Sequence, residues 1–177
     1  MRRLAVCAAI AASLASLAAC GSSGSSTGKL NCPTALTAPN LDSYTVFRPG
    51  GGTAPEDIQF GVKLVGVRSS CRAETAGIRI DTAISFIIAR NDPQLKLGDF
   101  TYFVAIADAK ETIVAKQNFG LRADFAPRQN QIRVTDTITE HLPLRDLSSG
   151  RTYAVIVGLQ LSQQQVDLNR QRQAPAQ

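Results

Sequence analysis

The chain contains one histidine, His141, directly after Glu140, so any imidazole-based acid–base chemistry must run through that ring. A hydrolase would need a serine or cysteine within hydrogen-bond reach of it. No nucleophile elbow, a serine on a tight turn between a strand and a helix, accompanies it. The acidic residues are scattered, and no two are nominated as a carboxylate pair across a cleft. Pro49-Gly50-Gly51-Gly52 has the look of a phosphate loop, but no Lys-Ser/Thr follows it and no helical pattern opens behind it. A single histidine and the lack of a C-x-x-C spacing argue against a thiol redox centre or a zinc site. The expectation is therefore a protein without catalytic, cofactor-binding or metal-ligating residues, with His141 exposed in a turn at the end of a strand.

The cysteines lead elsewhere. Met1, Arg2 and Arg3 form a positive start, and Leu4 to Ala19 is apolar apart from Ser13 and Ser16. That is the layout of a secretory signal, and the apolar run is shorter than the roughly 20 residues a membrane-spanning helix needs. Leu17-Ala18-Ala19-Cys20 resembles the lipobox of bacterial lipoproteins, which implies cleavage before Cys20 and acylation of its sulfur. A simple A-x-A cleavage site would want a small side chain where Leu17 stands. Two or three acyl chains on Cys20 would anchor the protein firmly, whereas one binds a membrane only marginally. Gly21 follows the cysteine, and by the sorting rule of Gram-negative lipoproteins the absence of aspartate there implies the outer membrane, with the protein facing the periplasm. Gly21 to Gly28 reads as a flexible linker, and from Cys20 to Asn31 a random chain spans about 18 Å.

Cys7 leaves with the leader and Cys20 is taken by lipid, so Cys32 and Cys71 remain for the folded part. In an oxidising compartment that pair is expected to form a disulfide joining the start of the domain to its sheet. Charge adds one exclusion. The formal net charge of +5 includes Arg2 and Arg3, and the other basic residues are spread singly along the chain. Without a basic block to track a phosphate backbone, nucleic acid is not an expected partner.

The elements that would carry these residues are strands. Ile58, Phe60, Val62 and Leu64 alternate with polar residues or glycine, the period of a half-buried strand. Ile78, Ile80, Ile84, Phe86 and Ile88 continue such a pattern, with Thr82 as an interruption. Phe100 to Ala107 and Thr112 to Phe119 flank Asp108-Ala109-Lys110-Glu111 as in a hairpin. Ile132, Val134 and Ile138 mark another strand, Arg151 to Leu161 the last, and Tyr44 to Phe47 a further one. About seven strands without helices between them exclude a parallel βαβ fold and predict an all-β sandwich, immunoglobulin- or fibronectin-III-like in architecture. Ser162 to Arg172 predicts a short helix fading into a tail. The expected organisation is a signal peptide over 1–19, the lipidated cysteine and linker over 20–31, the sandwich over 32–161, and the helix and tail over 162–177.

Several segments also resemble a group of uncharacterised lipoproteins of alphaproteobacteria. These are Phe60 ahead of Ser70-Cys71-Arg72, the run Tyr102-Phe103-Val104-Ala105-Ile106, Leu142-Pro143-Leu144, Tyr153 through Leu161, and Asn169-Arg170. The resemblance implies a shared fold and location and supplies no activity. The functional expectation is a membrane-anchored periplasmic binding or envelope-assembly module, whose partners are membrane lipid through Cys20 and an envelope protein. The alternative is a hydrolase-like enzyme using His141.

Overall fold

The computed structural model describes residues 29–173. Cys20, the leader and most of the linker lie outside them. The described residues form eight strands in two four-stranded sheets and one helix: β1 (Thr34–Thr37), β2 (Ser43–Phe47), β3 (Ile58–Glu74), β4 (Gly77–Arg90), β5 (Leu97–Ala107), β6 (Ile113–Asp124), β7 (Gln131–Pro143), β8 (Ala154–Leu159) and α1 (Gln163–Gln173). One sheet has the order β1-β8-β5-β6 and the other β2-β3-β4-β7. The expected all-β sandwich with a short C-terminal helix is thus what the chain forms. Its likeness to immunoglobulin modules lies in the layering. The strand order is its own, since β2, β3 and β4 are consecutive neighbours and only β1 with β8 is parallel. Among the described residues no helix is long and apolar enough to cross a membrane.

The core follows from the alternation. Ile78, Ile80, Ile84, Phe86 and Ile88 of β4 meet Phe100, Tyr102, Val104 and Ile106 of β5 and Val155, Val157 and Leu159 of β8 in one buried cluster. Thr82 does not interrupt β4. It stands at a core-facing position, fully buried, and its hydroxyl has no hydrogen-bond partner. In β3 the alternation changes phase at Val65. Leu64 pairs with Phe86 and Gly66 with Ser85, so Val65 bulges out and the inward set passes from Phe60, Val62 and Leu64 to Val67 and Cys71. Cys71 accordingly faces inward near the end of β3, whose pairing with β4 continues past it to Glu74.

Two more boundaries differ from the sequence expectation. Leu147 to Thr152 is a 3₁₀ turn capped by Asp146, whose side chain accepts from the Ser148 amide, and β8 starts only at Ala154. β1 is four residues long and was invisible to periodicity. Gly77, at φ 143°, closes the β3–β4 hairpin, and a β-carbon there would sit 2.2 Å from the Leu142 carbonyl oxygen, so only glycine fits.

Candidate functional site

The two margins of the sandwich are the regions where function can be sought, because the middle of each sheet is occupied by core. At the β1/β2 margin the edge of β2 is covered and the segment before β1 is tied down, while β1 itself pairs only with β8. Cys32 and Cys71 form a disulfide with Cα atoms 5.6 Å apart, joining the segment before β1 to the last stretch of β3, near Glu74. Asn31 docks the same segment on the 3₁₀ turn, its amide donating to the Leu147 carbonyl and its side chain to that of Ser148. Helix α1 covers the free edge of β2 in place of a strand. The Gln165 side chain accepts from the Thr45 amide at 3.1 Å and donates to the Thr45 carbonyl at 2.6 Å, as a neighbouring strand would. Asn169, only 2% exposed, donates to the carbonyls of Asn40 and Ser43, and Arg172 donates to the Thr45 hydroxyl. The helix is therefore docked by polar contacts to main chain and is more than a surface coil-former.

The β6/β7 margin is open. Each of these strands is hydrogen-bonded to one neighbour, β6 to β5 and β7 to β4, and each presents its other edge unpaired. Residues 113–118 of β6 are exposed on both faces. Ile113 and Val114 are 50% and 51% exposed. The β5 residues opposite them are buried, so this half of β6 stands out from the body as a two-sided ribbon. On β7 the inward residues Ile132, Val134 and Ile138 are only half-buried although the β4 residues beside them are fully buried. The apolar interior thus reaches the surface along this margin.

Two inward carboxyls of β7 lie on the same side. Asp136 accepts a 2.6 Å hydrogen bond from the Tyr102 hydroxyl. Burial, reinforced by that bond and the Asp136 charge, pushes the tyrosine far above its ordinary value, so Tyr102 stays a protonated donor. Glu140 is held above its usual range by burial, and its Oε2 has no partner. Asp136 and Glu140 are four residues apart on one face of a strand, roughly 13 Å at about 3.3 Å per residue, too far to share a proton.

His141 points the other way. It lies within β7, not in a turn, opposite Arg79 of β4 on the outer face, 63% exposed, with its Nδ1 2.9 Å from a carboxylate oxygen of Glu74. Nearby on that face Asp81 accepts from Thr139 and Arg79 and faces Arg72, and these contacts hold its carboxyl below the usual range. Neither His141 nor Glu74 lines the concavity beside Tyr44, Asp99 and Gln160, the one beside Arg90, Phe125 and Arg128, or the one beside Val65, Ser85 and Arg133. In the glycine loop, β-carbons built at Gly51 and Gly52 would lie 3.1 and 2.9 Å from the Asp57 carboxylate, a neighbour that repels phosphate.

Of the residues singled out by sequence, the structure brings Cys32 and Cys71 together and leaves His141 on an open face. What sequence reasoning missed is the margin itself. The one available signal was Ile113-Val114 directly after the Asp108–Glu111 turn, which reads as an ordinary strand until its facing partner is found to be absent. No protein-family model matches this chain, and no curated protein and no solved structure resembles it significantly.

Proposed function

We propose that this chain is a lipid-anchored envelope protein that acts by binding, taking a strand of a partner protein onto the free edge of β6. The observation that carries the reading is the exposure of residues 113–118 on both faces beside an unpaired edge, with Ile113 and Val114 available to pack against an incoming strand. Strand addition draws its affinity from main-chain hydrogen bonds and its selectivity from alternate side chains, and β6 offers both. Proteins normally blunt such edges with charge, proline or a covering element. Lys116 is the one charge in the exposed half, and it is turned onto the Phe103 ring at 4.4 Å. Anchoring through Cys20, in the periplasmic leaflet of the outer membrane, would keep this edge close to other envelope proteins. The hydrolase alternative rests on His141 and Glu74, and their position on an open strand face gives a substrate no enclosure.

The test has two arms in the native envelope. Metabolic acyl labelling should mark the wild-type protein and vanish in Cys20→Ser; label that persists in that variant would sink the anchor. Chemical crosslinking of the lipidated protein should give a defined adduct that disappears in Ile113→Lys/Val114→Lys. An adduct unchanged by those substitutions would place the partner elsewhere.

A further inference from the structure

At one end of the sandwich the β4–β5 and β6–β7 loops enclose a concavity of about 700 Å³, within the range of small-molecule sites. Pro93, Leu97, Phe125 and Pro127 give it apolar walls. Arg90, Lys96 and Arg128 add three cations against one carboxylate, Asp124. Arg90 organises the site. It is the last residue of β4, is 6% exposed, donates to the carbonyls of Leu95 and Ala126, and lies over the Phe125 ring at 4.9 Å. Its guanidinium therefore ties the two loops together, helped by the Phe125 amide donating to the Lys96 carbonyl at 2.9 Å.

The cations of this end have no carboxylate within ion-pair distance among the described residues. A buried guanidinium is ordinarily matched by a carboxylate because desolvating it alone is expensive. Among the described residues no ion pair involves Arg90, Lys96 or Arg128, and the Arg90 Nε is buried without any partner. A cavity of this size with apolar walls and unmatched cations is complementary to a ligand carrying one negative charge on an apolar body. Asp124 in the wall disfavours a dianion. We infer that this loop-end pocket binds a small amphipathic carboxylate, such as a medium-chain fatty acid. The apolar body lies against Phe125, Leu97 and the prolines, and the carboxylate completes the charge of Arg90, Lys96 and Arg128. The site is separate from the β6 edge proposed above and stands or falls without it.

The test uses the full chain in nanodiscs of zwitterionic lipid and a decanoate analogue with a diazirine in its alkyl chain. Irradiation and peptide mapping should place the adduct within residues 93–97 or 124–128. Decanoate should compete at least about tenfold better than decanol, the effect of one charge-assisted hydrogen bond. Lys96→Gln/Arg128→Asn should reduce labelling about tenfold with an unchanged melting temperature, because both side chains are exposed and asparagine tolerates the φ of 66° at position 128. An adduct spread over other segments, equal competition by decanol, or full labelling of the double variant would each overturn the inference.

Discussion

Along β2 the chain commits an entire helix to hiding one strand edge, and along β6 it commits nothing. On the first side Gln165 copies the hydrogen bonds of a missing strand, Asn169 fills two more carbonyls, and the Cys32–Cys71 bond ties the entry segment down. On the second, a strand with two exposed β-branched residues ends a sheet with its outer main-chain groups unpaired. Both edges face the same hazard of uncontrolled pairing. A fold able to cap one edge by polar side-chain mimicry has no topological need to leave the other bare, and that asymmetry makes β6 the surface to explain by function.

The closed side should dominate stability. Breaking its covalent link with Cys32→Ser/Cys71→Ser opens a loop with a sequence separation of 39. The chain-entropy model gives about 4 kcal/mol for such a loop. That corresponds to a fall in melting temperature of roughly 10 °C, which calorimetry under non-reducing conditions can read. Thiol labelling of the unfolded, unreduced protein should find neither cysteine reactive.

Asn169→Ala comes next. It strips the carbonyls of Asn40 and Ser43 of their donors, and leaving such groups unpaired costs about 1–3 kcal/mol. Hydrogen exchange should speed up through β2 and α1 and stay unchanged in β6, whose exposure does not depend on the helix. Equal acceleration at both margins would dissolve the contrast between them.

A smaller, pH-dependent effect belongs to the open side. Burial raises the Glu140 carboxyl above its ordinary value of 4.5. The unfolded chain therefore ionises there first, and the stability that Glu140 contributes in acid is lost as the pH climbs from that value through the raised one. Glu140→Gln should flatten this part of the profile, melting higher than wild type at pH 7 and similarly at pH 4. Asp81 works in the opposite sense. Its lowered value makes its contribution present at neutral pH and lost in acid, so Asp81→Asn should narrow the gap between neutral and acid stability. The smallest change is expected from His141→Ala, within about 0.5 kcal/mol, because the ring is an exposed strand residue away from core and caps. A variant that folds normally yet loses its biological role would restore the hydrolase alternative.

How far the sequence could be read depends on where side chains alone set the structure. The inward rows of β4 and β8 were legible because isoleucine, phenylalanine and valine recur there at every second position, whereas β5, buried on both faces from Tyr102 to Ala107, was legible only as an apolar run rich in aromatic and β-branched residues. β3 was legible only to its bulge, since an extra residue at Val65 moves the inward set to the other parity and makes the second half look irregular. Thr82 looked like an interruption because a hydroxyl is an unusual core group, not because the strand bends. The docking of α1 was illegible. Its anchors are amide side chains that meet the main chain more than a hundred residues away, and its own face carries almost no apolar pattern. The loop-end pocket was hidden for a similar reason, as Arg90, Lys96 and Arg128 come from three separate segments and each alone reads as a solvated charge. Of the expected site, the cysteine pair was readable from the count of cysteines and the oxidising compartment that the leader pattern implies, whereas the open margin needed the facing sheet to be seen.

The central claim is that recognition takes place at the β6 margin and not at the helix-capped one. A photoreactive amino acid placed at Val114, compared with one at the exposed Gln164 of α1, tests it in intact cells carrying the otherwise native chain. The account expects a discrete protein adduct from position 114 that is absent from position 164 and that is lost when Ile113→Lys is added. Adducts of equal yield from both positions, or none from 114 under conditions where 164 gives one, would contradict it.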